Sequence, residues 1–168
     1  MTFKKVSFLS AIILSLLTCS PSFSSDFSKS KADDKWLTKA FSTMNPCYPK
    51  PDIYYDSKLK KSTVLAQHGY RSATLNIPAA LASYSIHEKF YGLTASELII
   101  PIDDTLAKWI IKVQGPAALL KANIKRQTGF NIATHYSKNK HFPEANDGVA
   151  EILSTGKETY IRCYNSRN

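Results

Sequence analysis

The chain has 168 residues, a formal net charge of +9 and three cysteines. That length suits one domain with a core of ordinary size. The basic residues stand singly or in pairs such as Lys60-Lys61 and Lys125-Arg126, which argues against a basic nucleic-acid-binding tail and leaves an acidic protein or an anionic envelope surface as the fitting partner.

Lys4 and Lys5 precede an apolar run, Phe8 to Leu17. The run is far shorter than the roughly 20 residues a membrane helix needs. It has the form of a signal peptide over residues 1–25, with Ser22-Phe23-Ser24 before a cut near Ser24 or Ser25. The mature chain, carrying no integral membrane span, is expected in the periplasm or secreted. Leu16-Leu17-Thr18-Cys19 resembles a bacterial lipobox, with Thr18 departing from the usual small residue. Either cut takes Cys19 out of disulfide chemistry. Cys47 and Cys163 remain, and an even pair in an oxidising compartment predicts a disulfide between them.

Residues 26–52 read as a polar lead-in, a helix and a Pro-rich arm. Asp33 can cap the helix, and Trp36, Leu37, Ala40, Phe41 and Met44 form its apolar stripe. Asn45-Pro46 ends it, and Cys47 to Pro51 is extended.

Residues 53–168 read as an α+β domain. Ile53 to Tyr55 and Thr63 to Gln67 are expected strands. Pro78 opens an expected helix with Ala79, Ala82, Ile86 and Phe90 on one face and Gly92 as its stop. Leu98 to Ile102 is an expected edge strand, because Pro101 cannot complete a ladder. Asp103-Asp104 caps a helix carrying Leu106, Trp109, Ile110 and Val113. Gly115-Pro116 breaks it before a second helix with Ala117, Leu120 and Ile124, ended by Gly129. This pair is similar to helix-turn-helix geometry, although an exported protein has little use for reading DNA.

The last quarter is β-rich: Phe130 to Tyr136, Val149 to Leu153 and Thr159 to Tyr164, the last two joined by a turn at Ser154 to Lys157. Alternation in the last strand puts Cys163 on the core face with Ile161. The sum is about four short helices on a small, mainly antiparallel sheet, in a single domain.

No phosphate-binding loop, dinucleotide fingerprint, zinc-protease helix or nucleophile elbow occurs. Only histidines and carboxylates offer chemistry. His87 reads as a surface residue of the second helix. His135 and His141 flank a polar loop and could share a proton or a metal, with Glu144 or Asp147 as a third ligand, but two histidines alone do not assign a metal. His68 is followed by Gly69 and could sit at a cleft mouth.

The stretch Leu65-Ala66-Gln67-His68-Gly69-Tyr70-Arg71, with Asn76 beyond, resembles the passage of diphtheria-toxin-type ADP-ribosyltransferases in which a His-Gly grips the nicotinamide ribose. Glu151-Ile152-Leu153, with Gly156 and Thr159-Tyr160-Ile161, resembles the strand bearing their catalytic glutamate. The sequence departs from that family at Tyr70, where a small residue is usual, and offers only Tyr136 as a stacking tyrosine. The resemblance implies NAD-dependent chemistry at His68 and Glu151. A nuclease using His68 and His135 beside basic residues is a parallel possibility.

The main expectation is a different one: a non-catalytic exported binding protein, an inhibitor or immunity-type partner of another exported protein, needing no cofactor. Its anchors would be Tyr54, Tyr55, Tyr70, Arg71 and Arg162, since tyrosine and arginine dominate binding hot spots. The alternative is a small exported enzyme or toxin using His68, Glu151 and His135.

Overall fold

The computed structural model describes residues 35–50, 53–103 and 107–165. The expected signal peptide, Cys19, the expected lead-in and its Asp33 cap, and Asp104 and Leu106 lie outside them. Three helices and seven strands follow in the order α1 (Trp36–Ala40), α2 (Thr63–Gln67), β1 (Thr74–Asn76), β2 (Leu81–Phe90), β3 (Leu93–Pro101), β4 (Ala107–Gln114), α3 (Ala117–Thr128), β5 (Ala133–Tyr136), β6 (Glu151–Ser154) and β7 (Thr159–Asn165). The class is α+β, with three helices instead of the expected four.

The strands form one sheet in the order β1-β2-β3-β4-β7-β6-β5. Every pairing is antiparallel except β5 with β6. One face is apolar. Ala82, Tyr84 and Ile86 of β2, Leu98 and Ile100 of β3, Trp109, Ile111 and Val113 of β4, and Ile161 and Cys163 of β7 all point into the core. Leu37, Phe41, Leu65, Leu120 and Ile124 close over them in a single hydrophobic cluster. The opposite face carries Ser83, Glu97, Lys108, Lys112, Tyr160 and Arg162, none of them fully buried.

Two expected helices are strands. Ala82, Ile86 and Phe90 are four apart, a spacing that fits one helix face and also alternate strand positions. Tyr84 decides between them: it is 1% exposed, whereas a helix would turn it away from that stripe. Phe90 stays on the same core face by alternation, and the pairing with β3 shifts register between Ser85 and Glu88. In β4 the core takes Trp109, Ile111 and Val113, with Lys108 and Lys112 opposite, so period two prevails over the helical reading. The helix-turn-helix resemblance goes with it. His87 accordingly lies on a strand, exposed.

Gly92 ends no helix. With Tyr91 (φ 47°) it forms the tight turn between β2 and β3, and positive φ at both residues matches the right-handed strand twist. Asn123 on α3 donates to the Tyr91 carbonyl at 2.7 Å and holds that turn. β3 is central rather than an edge, and Pro101 stands at its last position, where a missing N–H is tolerated.

Thr63–Gln67 is a helix, not a strand. Ser62 supplies the signal: its hydroxyl accepts the Leu65 amide at 3.4 Å as an N-cap. Ile53 to Tyr55 makes only one bridge, Tyr55 to Ile102. Gly129 ends α3 in the left-handed conformation, as expected.

Cys47 and Cys163 are disulfide-bonded, their Cα atoms 6.1 Å apart. The Trp109 indole donates to the Cys47 carbonyl at 3.1 Å, and Phe41 packs edge-on against the same indole at 4.8 Å. The N-terminal helix and the Cys47 segment of its arm therefore belong to the core built by 53–165. Among the described residues no helix is long and apolar enough to cross a membrane.

Candidate functional site

Glu151 opens β6 on the outer face of the sheet, opposite Arg162 of β7. Arg162 donates to Glu151 Oε2 from Nε at 3.2 Å and from a terminal nitrogen at 3.0 Å. That terminal nitrogen also donates to the Pro143 carbonyl at 2.6 Å. The loop between β5 and β6 thus folds over the pair, and Asn146 from the same loop donates to Glu151 Oε1. Glu151 is left 1% exposed. Burial pushes its carboxyl up, but the Arg162 guanidinium, Asn146 and His135 together hold it below the usual carboxylate range.

His135 stands on β5 two positions beyond the partner of Glu151 and on the same face. Its Nε2 lies 3.5 Å from Glu151 Oε1, beyond a well-formed hydrogen bond, and is buried with no other partner among the described residues. His141 is exposed on the loop. Among the described residues no three His, Cys, Asp or Glu side chains gather as a metal would require.

The same face carries a second ionic group. Glu158 sits between Lys112 at 2.6 Å and Lys140 at 2.9 Å, and Lys112 rests over the Tyr160 ring at 5.6 Å. The two lysines pull the Glu158 carboxyl down to about 2.

His68 lies elsewhere. It caps the C-terminal end of α2, and its ring stacks on Trp36 at 4.0 Å and 8°. Tyr70, two residues on, donates to Glu88 of β2 at 2.8 Å and accepts the His87 amide at 3.1 Å. Burial pushes the Tyr70 hydroxyl up to about 12. Thr38 of α1 likewise accepts the Tyr91 amide at 3.0 Å, which fixes α1 beside the β2–β3 turn. His68 is therefore tied to the β2 side. Glu151 is four strands away across β3, β4 and β7, a span of about 19 Å at the usual strand spacing. The structure brings together Glu151, His135 and Arg162, and leaves His68 out.

Among the expected anchors, Tyr55 is 7% exposed and Arg162 is held by Glu151 and Pro143. Tyr54 is half-buried and lines a hollow of about 130 Å³ with Asp56, Ser62, Thr63 and Val64. Tyr70 is half-buried, and Arg71 is exposed. Four exposed apolar residues went unread in the sequence: Leu59, Leu75, Ile77 and Leu119, at 57%, 39%, 65% and 45% exposure. Apolar residues set among polar neighbours carry no sequence signal that separates a surface position from a core one. Comparison with protein-family models, curated proteins and solved structures finds no match to this chain.

Proposed function

We propose that the protein is an exported, non-catalytic binding protein that acts on another exported protein, in the manner of an inhibitor or immunity partner. The observation that supports this reading is the state of Glu151. A catalytic carboxylate must reach a substrate. This one is buried beneath the 137–149 loop, with Arg162 and Asn146 occupying both of its oxygens. The enzyme alternative calls for His68 and Glu151 in one cleft, and the sheet holds them four strands apart. A disulfide-closed sheet with helices on one face is, by contrast, a rigid platform of the kind binding requires, because little ordering cost remains at association. The basic net charge favours an acidic partner and fast association.

The test is capture by the immobilised, oxidised protein from envelope and culture-supernatant fractions, read by mass spectrometry. One partner in near-equal amount supports the reading, and no retained protein defeats it. NAD turnover and RNA cleavage are assayed alongside. Turnover that His68→Ala and Glu151→Ala both abolish would restore the enzyme.

A further inference from the structure

We propose that the exposed face of α3 rests on an anionic lipid surface. The inference goes beyond the protein-binding reading above and does not depend on it.

From 105 to 143 the sequence has no aspartate or glutamate, and α3 lies in the middle of that stretch. Ala117, Leu120, Asn123 and Ile124 turn one side of the helix into the protein. At about 3.6 residues per turn the opposite side is Ala118, Leu119, Ala122, Lys125 and Arg126. All five are exposed, and Lys121 stands half-buried at the border of this face. Lys121 and Lys125 are one turn apart, a like-charge pair that costs a helix stability. Neither makes an ion pair among the described residues, and Arg126 bonds only the Asn123 side chain, at 3.1 Å. A solvated surface ordinarily intersperses both signs.

The hollows at the C-terminal end of α3 add no acid. One, of about 260 Å³, places Lys35 and Lys89 beside Gln127. The other, of about 440 Å³, sets Ser42, Thr43 and Asn45 beside Thr128. Neither lining includes a carboxylate.

The form of the face selects the anion. Protein hot spots are built on large side chains seated in closed pockets. This face is the convex side of a helix, with two alanines and one leucine that is 45% exposed. A bilayer needs only cations at headgroup level and a shallow apolar contact. Ala118 and Ala122 let the helix lie close to the surface, where Leu119 meets the acyl boundary and Lys121, Lys125 and Arg126 meet phosphates.

The experiment sediments oxidised protein, residues 26–168, with vesicles. The apolar run at 8–17 is left out because it would itself bind lipid. Vesicles of equal parts phosphatidylglycerol and phosphatidylcholine should retain the protein, and phosphatidylcholine alone should not. Rising salt should release it as the screening length shortens. Lys121→Gln/Lys125→Gln/Arg126→Gln, verified folded by circular dichroism, should bind about a hundredfold more weakly, at about fivefold per cation. Lys58→Gln/Lys60→Gln/Lys61→Gln removes the same charge from an exposed loop and should bind nearly as the wild type does. Leu119→Trp should bind more tightly and shift its emission to shorter wavelength on the vesicles. Absence of vesicle binding, binding indifferent to salt, an unshifted Leu119→Trp emission, or equal losses in the two triple variants would each overturn the proposal. Capture of an acidic protein through the same three cations, without vesicle binding, would also overturn it and make the occupant a protein.

Discussion

Glu151 and Arg162 face each other across the β6–β7 ladder, and both guanidinium donors reach one carboxylate oxygen, at 3.0 and 3.2 Å. The pair is one point at which the 137–149 loop is fastened to the sheet, because Arg162 also holds Pro143 and Glu151 also holds Asn146. Arg162→Ala would leave a buried carboxylate without its counter-charge. The expected loss is about 3–5 kcal/mol, seen as a drop in Tm of about 10 °C. Urea titration checks it. A loss within 0.5 kcal/mol would mean the loop readily admits water to Glu151.

The same pair sets an acid limit. The folded carboxyl of Glu151 titrates below its unfolded value, so its stabilising contribution is complete above the ordinary carboxylate range and is lost as pH falls through the lower folded value. Glu158 acts in the same direction, with its carboxyl down to about 2. Tm should be flat from neutral pH down to about 5 and should fall below that. In Glu151→Gln the fall should be shallower. Thermal scans of both proteins across pH decide it, and parallel curves would count against Glu151 as a contributor.

Breaking the Cys47–Cys163 bond removes a crosslink spanning 116 residues. In the chain-entropy model such a loop contributes about 5 kcal/mol. Cys47→Ser/Cys163→Ser, or reduction of the wild type, should lower Tm by 10 °C or more, again by about 2–4 °C per kcal/mol. Thermal unfolding with and without reductant measures this, and an unchanged Tm would place the stability in the packing around Trp109.

Tyr84 carries a smaller, cleaner test. Its buried hydroxyl accepts the Ser62 amide at 3.1 Å, and Ser62 is itself 1% exposed. Tyr84→Phe preserves the ring and leaves a buried N–H without an acceptor. The expected cost is about 1–3 kcal/mol. Hydrogen exchange at the Ser62 amide should rise with it, since that amide starts α2.

How much of this could be read from the sequence depended on which interactions decide each element. β7 was legible because Thr159, Ile161 and Cys163 alternate cleanly with Tyr160 and Arg162, and α3 because Gly129 stops it. β2 and β4 were misread as helices because Ala82, Ile86 and Phe90, or Trp109 and Val113, satisfy two periods at once. Long-range pairing with β3 and β7 chose between the two, and that information is not local. α2 was expected as a strand, and the local signal for a helix was the N-cap at Ser62. The meeting of Glu151 with Arg162 follows from the register of a hairpin that was expected, so it could have been found by laying β6 against β7. The distance of His68 from Glu151 could not, since it depends on the order of all seven strands.

The disulfide also changes what a protease can do. The exposed stretches at 57–61 and 138–147 both lie between Cys47 and Cys163. A single cut in either leaves two chains still joined by one covalent bond and still sharing one core. Such a nicked molecule would keep its mass under oxidising conditions and separate into two fragments only on reduction. In a molecule closed this way, a broken backbone need not mean a lost molecule.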